Sequence, residues 1–328
     1  MIKTTLCLTM CLLFSGLSQA QDPKLNVNLE NITVSGLSSG GYMATQFHLA
    51  HSDWVRGAGI VAAGPYYCAR NSISTALEQC VNKLSGNIDV AALNKQAQAW
   101  AINGKLAALA NLKDSKVWLL NGSKDTKVIA PVSQALFEQY GAWVGDKNVQ
   151  YVQDKPFAHH FPSLNNGSAC DVSESPFIGN CAYDAAGALL NFIYPDLHPR
   201  VALTTGTIRE VDQQTLGGDA ASSLADTGYV YVPQSCQQGV ICKLHISFHG
   251  CNQNAEAVGK AYVEQSGLNN WADNNNLLVL YPQTKSSMML PLNPQGCWDW
   301  WGYTGDDYAT RDGEQIKAVT QITRALAQ

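Results

Sequence analysis

A Gly-x-Ser-x-Gly sequence near the beginning of the chain carries the clearest chemistry. It reads Gly36-Leu37-Ser38-Ser39-Gly40 and stands between a β-branched run and a run of helical composition. A strand–turn–helix of this kind exposes its central serine on a sharp turn, which only small neighbouring residues tolerate. The helix directs its first N–H groups toward a developing oxyanion. Ser38 is therefore the candidate nucleophile, and a Gly/Ser-rich turn without chemistry is the alternative.

A serine nucleophile of this type needs an acid and then a histidine, each following a later strand. Asp125 fits the acid because it lies in a turn after an apolar run; Asp146 and Asp154 are weaker alternatives. His159 and His160 follow the next apolar run, and we favour His159 as the base. The other histidine of the pair is then a structural or surface residue.

Short apolar runs alternate with longer helical stretches, which predicts an α/β fold with a mostly parallel sheet and helices on both faces. The predicted strands are 31–35, 57–63, 116–122, 148–153, 228–233, 244–250 and 277–282. The predicted helices are 41–51, 90–110, 131–141, 182–193, 254–274 and 311–327. Residues 203–227 are poor in apolar side chains and are interpreted as a connecting excursion.

Composition and the first residues predict an exported protein. Hydrophobic residues make up 46% of the chain and charged residues 14%, so a substantial core is possible and a disordered protein is excluded. The net charge of −5 argues against nucleic acid as a partner. Residues 1–20 have the pattern of a signal peptide; the alternative, a membrane anchor, would need a longer apolar run. Residues 21–328 are expected to form one catalytic domain, secreted to the periplasm or beyond the cell.

The cysteines outside the predicted leader are even in number, which in an exported chain indicates disulfides. Three pairs stand close in sequence, and one distant pair remains, although eight cysteines allow 105 pairings. A zinc site is the alternative, but no Cys-x-x-Cys occurs. The expected pairs are Cys68–Cys80, Cys170–Cys181, Cys236–Cys242 and Cys251–Cys297.

The nucleophile turn stands unusually early for an α/β-hydrolase fold, in which several strands precede it. Only about 17 residues separate the predicted leader from Ser38. The run 244–250 near the other end finishes in His249-Gly250, as a first oxyanion loop would. We therefore predict a circular permutation of the α/β-hydrolase fold. Trp298, Trp300 and Trp301 follow closely, and we expect at least one of them to contact the substrate.

Four segments resemble extracellular poly(3-hydroxybutyrate) depolymerases, and the resemblance as a whole extends over nearly all of the chain beyond the leader. Segment 36–43 (GLSSGGYM) resembles their lipase box, 63–69 (AGPYYCA) a segment after it, and 249–253 (HGCNQ) their oxyanion motif. Segment 293–303 (NPQGCWDWWGY) is similar to one in the wider esterase family. The order of these segments resembles the circularly permuted, single-domain branch.

The resemblance implies a role for each matched residue. Ser38 would be the nucleophile, Asp125 the acid and His159 the base of a triad, with Ala158 standing where the family has Gly. The backbone N–H groups of Ser39 and Cys251 would form the oxyanion hole. The implied partner is a polyester or small ester; no cofactor, metal, nucleic acid or membrane span is expected, and the protein is expected to be a monomer.

Two alternatives stay open at this stage. A short-chain, feruloyl or acetylxylan esterase would use an identical triad with a differently shaped pocket. A polymer-binding protein without activity would keep the fold, but it would have no reason to keep nucleophile, acid, base and oxyanion motif together.

Overall fold

The structure is a computed structural model and describes residues 25–83 and 85–327. The predicted leader, residues 1–20, lies outside the described residues. The strands are β1 (Ile32–Leu37), β2 (Val55–Val61), β3 (Lys116–Leu120), β4 (Val149–Val152), β5 (Phe161–Ser163), β6 (Ser168–Ala169), β7 (Ile178–Asn180), β8 (Thr207–Asp212), β9 (Thr227–Val232), β10 (Lys243–Phe248) and β11 (Leu277–Tyr281).

The α-helices are α1 (Ser39–Ala50), α2 (Ile73–Gln79), α3 (Val90–Ile102), α4 (Ala130–Val144), α5 (Ala185–Ile193), α6 (Gln213–Gly217), α7 (Gln234–Gln237), α8 (Ala255–Val258), α9 (Ala261–Gln265), α10 (Leu268–Ala272) and α11 (Glu314–Ala325). Short 3-10 turns occur at Leu29–Asn31, Leu109–Asp114, Asp146–Asn148 and Gly218–Ala221. No helix of the described residues is both long and apolar enough to cross a bilayer.

One large sheet organises the described part of the chain. Its strand order is β4-β3-β2-β1-β10-β11-β9-β8. The pairs from β4 to β11 are parallel, whereas β9 and β8 add antiparallel strands at one edge. The predicted α/β class with a mostly parallel sheet is confirmed. A smaller sheet, in the order β5-β7-β6, follows the strand β4 along the chain.

The strand that precedes Ser38 lies in the middle of this sheet, although it is the first strand described. The strands β2 to β4 extend the sheet on one side of β1, and strands from the second half of the chain extend it on the other. The C-terminal half thus supplies the strands that would come before the nucleophile turn in an unpermuted chain. Circular permutation stays a prediction, which this strand order supports.

Both faces of the sheet are buried because the parallel strands carry apolar side chains on alternate sides. In β11, Leu278 and Leu280 face a core shared with α1, α4 and α11, while Leu277, Val279 and Tyr281 face a second core shared with α5, α9 and α10. The helix α1 is buried along its whole length. This burial holds the turn before it rigidly against the sheet.

Three predicted segments differ from the structure. Stretch 254–274 is three short helices, because Gly259 and Gly267 have positive φ and interrupt the helical path. The helix predicted over 90–110 ends at Ile102, near Gly104, which also has positive φ. Stretch 203–227 is not only a connection, since it contains α6 and β8, a mostly polar edge strand that pairs with β9.

Four disulfides join cysteines of the described residues: Cys68–Cys80, Cys170–Cys181, Cys236–Cys242 and Cys251–Cys297. They are the pairs that the sequence spacing favours. Three of them close loops of 6 to 12 residues, whereas Cys251–Cys297 spans 46. The long one joins the loop after β10 to the tryptophan-rich segment.

Candidate active site

Ser38 occupies the sharp turn between β1 and α1. Its backbone has φ 56° and ψ −121°, a conformation that costs a non-glycine residue about 1–3 kcal/mol. The two glycines of the motif permit the close packing that holds it there. A Cβ at Gly36 would lie 2.1 Å from the Gly40 carbonyl oxygen, and one at Gly40 would lie 2.2 Å from that of Phe248. The turn therefore presents Ser38 at the carboxyl edge of the central strand.

Asp125 and His159 form a buried hydrogen-bonded pair at the same edge of the sheet. Asp125 follows β3 and His159 follows β4, and His159 Nδ1 lies 2.8 Å from Asp125 Oδ2. The other carboxylate oxygen accepts hydrogen bonds from the backbone N–H groups of Lys127 (2.8 Å) and Val128 (2.9 Å). The carboxylate is thus fixed from two sides, and it fixes the imidazole in turn. A carboxylate acceptor favours the tautomer with hydrogen on Nδ1, which leaves Nε2 able to accept a proton.

His160 lies beside this pair but is used differently. Its Nε2 lies 2.7 Å from the Cys170 carbonyl oxygen, so its ring is turned toward the small sheet. Burial lowers its pKa below the ordinary value. Cys170 and Cys181 also stand close to this ring, but their sulfurs are joined in a disulfide and are not available as thiolate ligands.

A cavity of about 430 Å³ brings the candidate residues together. Ser38, His159 and Cys251 line it, and Asp125 lies behind His159. No hydrogen bond joins Ser38 to His159 among the described residues; in hydrolases without substrate such contacts are often long and tighten on binding. The remaining lining residues are Leu37, Ser39, Tyr42, Leu77, Val81, Asn82, Lys127, Val128, Ser173, Phe177, Gly250, Asn252, Gln295 and Trp300.

His249 fixes the direction of the peptide that ends in the Cys251 N–H. The Thr284 N–H donates to His249 Nε2 at 3.2 Å, so Nε2 must be the unprotonated nitrogen. The hydrogen is then on Nδ1, which donates to the Gly250 carbonyl oxygen at 2.7 Å. Since the N–H of a trans peptide points opposite to its carbonyl group, this bond aims the Cys251 N–H away from His249. Burial lowers the pKa of His249 to about 4, which keeps the ring neutral near pH 7.

Two further contacts hold the same loop. Gln253 Oε1 accepts the Gly250 N–H at 2.8 Å, and its Nε2 donates to the carbonyl oxygens of Pro176 and Phe177. The disulfide Cys251–Cys297 joins Cys251, the residue after Gly250, to the tryptophan-rich segment. The loop is therefore anchored by a buried histidine, a glutamine and a covalent bond.

The three tryptophans have separate environments. Trp298 is fully buried against Phe248, with ring centroids 4.9 Å apart, so it cannot meet a substrate and the prediction for it is wrong. Trp300 stacks on Tyr42 with centroids 4.7 Å apart and lines the cavity. Trp301 is half-buried and lines a neighbouring apolar groove with Leu290 and other residues.

Several residues of the site carry no recognisable motif. Asp299 is buried, and its carboxylate accepts five hydrogen bonds from residues 301–304, which shapes the tryptophan segment. Burial raises its pKa. In the sequence, the position of Asp299 between two tryptophans is the one signal that could indicate this role. Leu77 comes from the helix α2 and Phe177 from the turn before β7. Their approach to the cavity depends on tertiary packing, and nothing local marks them.

Comparisons with known proteins identify the family of the chain. A polyhydroxybutyrate depolymerase from Talaromyces funiculosus is 39% identical over 311 residues, which cover 90% of this chain and 89% of that protein. The chain belongs to the poly(3-hydroxybutyrate) depolymerase family. A relative from Delftia acidovorans is 40% identical over 302 residues, and the chain spans 60% of its length. No family model matches the sequence.

Solved structures give the same result. The crystal structure of a PHB depolymerase from Penicillium funiculosum has a TM-score of 0.86 and 37% identity, and it covers 94% of this chain and 99% of that one. A Ser-to-Ala variant of a PHB depolymerase complexed with an R3HB trimer matches with a TM-score of 0.86 and 36% identity, with the same coverage. The predicted family and the predicted α/β-hydrolase fold are confirmed.

Proposed function

We propose that this protein is a secreted serine esterase that hydrolyses poly(3-hydroxybutyrate), related polyhydroxyalkanoates and their oligomers. The observation that carries the proposal is the buried Asp125–His159 pair, which shares a cavity with Ser38 on its strained turn. Family membership and the R3HB trimer bound by a relative support a polyester as substrate. The disulfides and the predicted leader support export.

In the first half of the reaction, His159 Nε2 takes the Ser38 proton as Ser38 Oγ attacks the ester carbonyl carbon. Asp125 holds the imidazole and stabilises the positive charge that forms on it. The N–H groups of Ser39 and Cys251 are proposed to stabilise the oxyanion, each worth about 3–4 kcal/mol of transition-state free energy. His159 then protonates the departing hydroxyl oxygen, which leaves the acyl group on Ser38.

In the second half, water replaces the departed alcohol. His159 accepts a proton from that water, the hydroxyl oxygen attacks the acyl carbon, and the same two N–H groups stabilise the second oxyanion. Collapse returns the proton to Ser38 and releases a carboxylic acid. These steps use side chains, backbone N–H groups and water.

The cavity walls support a methyl-bearing substrate. Trp300, Leu77, Val81 and Phe177 give apolar surface around the ester position, while Ser38 and His159 supply the reactive groups. Trp301 is proposed to act outside the cavity, where its groove continues to the exposed side chain of Leu290. A polymer chain could use that groove while its ester bond lies at Ser38.

The proposal is tested with a purified suspension of amorphous poly(3-hydroxybutyrate). We expect the wild type to clear the suspension and release 3-hydroxybutyrate and its oligomers, and Ser38→Ala to release none. A soluble butyrate ester is assayed in parallel. Turnover of that ester with an untouched polymer would instead indicate a short-chain, feruloyl or acetylxylan esterase, and no turnover of either would indicate a binding protein.

A further inference from the structure

A lysine with no ionic partner lies in a cavity otherwise suited to a neutral ester. Lys127 lines the cavity and is exposed, and among the described residues its ammonium group has no carboxylate within ion-pair distance. The neighbouring lysines differ: Lys124 pairs with Asp171 at 3.4 Å, and Lys155 pairs with Asp154 at 3.0 Å. The Lys127 ammonium group is therefore available to pair with a ligand.

The rest of the cavity offers nothing to neutralise this charge. None of the lining residues is Asp or Glu, and Asp125 is buried behind His159 with its oxygens occupied by His159 and two backbone N–H groups. The phenol of Tyr42 is committed to the Cys80 carbonyl oxygen. The cavity thus favours an anion beside Lys127. The interior of a polyester chain is uncharged, so hydrolysis of the polymer alone gives no reason for this lysine.

The position of Lys127 places it on the side of the ester bond from which the alcohol leaves. Its backbone N–H donates to Asp125, the carboxylate that also holds His159, so its main chain is anchored next to the group that protonates the leaving oxygen. In an oligomer of a hydroxy acid, the alcohol that leaves carries the chain's carboxyl end. The one carboxylate of the substrate is therefore on the side where Lys127 lies.

We propose that Lys127 is a specificity-determining residue that binds the terminal carboxylate of soluble 3-hydroxyalkanoate oligomers, so that short acids are released from the carboxyl end. This inference rests on the proposed function. It means that anionic ester oligomers, as well as the polymer, are substrates of this site. A lysine acts here as a point charge on a flexible stem, so it can follow carboxyl ends of different lengths.

The test compares a 3-hydroxybutyrate trimer with its methyl ester, which lacks the terminal charge and carries one further methyl group, and it follows cleavage of the ester bonds between the hydroxy acid units. We expect the wild type to have a lower KM for the acid than for the methyl ester, and high salt to remove that difference. Lys127→Gln should raise the KM for the acid about tenfold relative to that for the methyl ester, as loss of a charged hydrogen bond does. Lys124→Gln, which removes a paired lysine of the same loop, is the matched control.

The outcomes separate this inference from the proposed function. If the wild type hydrolyses both trimers without preference, or Lys127→Gln raises both KM values equally, the carboxylate role is wrong and the esterase proposal stands. If neither trimer is hydrolysed, the proposed function fails. Calorimetry of the free-acid trimer with Ser38→Ala and with Ser38→Ala/Lys127→Gln then still tests Lys127 by binding alone, and equal affinities would refute it.

Discussion

The two sides of the candidate site are built on different principles. On one side, Ser38, Asp125 and His159 are proposed to act through side chains, and a hydrogen bond of 2.8 Å joins Asp125 and His159. On the other side, the group proposed to act is a backbone N–H, that of Cys251, and its direction depends on the buried His249 and on a disulfide. A side-chain function can be deleted directly, whereas a backbone function can be changed only through the residues that hold it.

The largest effect is expected on the side-chain side. His159→Ala should lower kcat by about 10⁴-fold, since it removes the proton acceptor of the triad. His160→Ala should keep most of the activity, because that ring is bonded to the Cys170 carbonyl group instead. Steady-state kinetics on a soluble ester measure both. Loss of turnover in His160→Ala alone would reverse the assignment.

On the backbone side, a pair of substitutions at His249 separates its two hydrogen bonds. His249→Gln can still accept from the Thr284 N–H but loses the donor to Gly250, and we expect kcat to fall about 10²-fold with KM little changed. His249→Asn can place its amide N–H near the position of Nδ1 and should recover much of kcat. Equal losses in the two variants, matched by equal losses of thermal stability, would mean that His249 only fills space.

Two of the three disulfides in the second half of the chain sharpen the comparison further. Replacing Cys251 and Cys297 together with Ala should lower both the unfolding free energy, by about 2–5 kcal/mol, and kcat, by about tenfold. Replacing Cys236 and Cys242 should lower stability with no change in kcat, since that pair is remote from the cavity lining. Denaturant unfolding and ester kinetics on both variants measure the two effects. Equal kcat values in the two variants would show that the disulfide Cys251–Cys297 does not position the Cys251 N–H group.

The smallest effect concerns the histidines buried in the core. Burial lowers the pKa of His48, His51 and His245 to about 3 each, below the ordinary value near 6.5. The unfolded chain therefore binds more protons, and stability falls as pH drops below about 6.5, by up to about 1.4 kcal/mol per pH unit for each histidine.

Denaturant unfolding between pH 7 and pH 5 measures this slope. His245→Asn should reduce this slope by the contribution of one histidine, up to about 1.4 kcal/mol per pH unit. A slope that His245→Asn does not alter would show that this ring is already charged in the folded protein.

The sequence predicts the side-chain half of the site better than the backbone half. Ser38, Asp125 and His159 follow strands that apolar runs mark clearly, and parallel strands bring the residues after them to one edge. The sequence marks His249 only as part of a His-Gly motif. Its hydrogen-bond partner Thr284 lies 35 residues away in the chain, so their contact forms only on folding.

The tryptophans show the same limit. Residue type and spacing do not separate Trp298, which the core encloses, from Trp300, which faces the cavity, since both positions depend on tertiary packing. The buried carboxylate of Asp299 shapes the turn that follows them, over residues 301–304. Similarly, no apolar run marks the edge strand β8, because four of its six side chains are polar, as a position at the edge of a sheet allows.

The most direct measurement is a crystal structure of the wild-type protein after reaction with an alkyl phosphonate, which mimics the tetrahedral intermediate. The account predicts phosphorus bonded to Ser38 Oγ, with one phosphonyl oxygen about 2.7–3.1 Å from the N–H groups of both Ser39 and Cys251. His159 Nε2 should face the oxygen that represents the leaving group. A label on another serine, or a phosphonyl oxygen that meets neither N–H group, would contradict the claim that the two halves of the chain join in one active site.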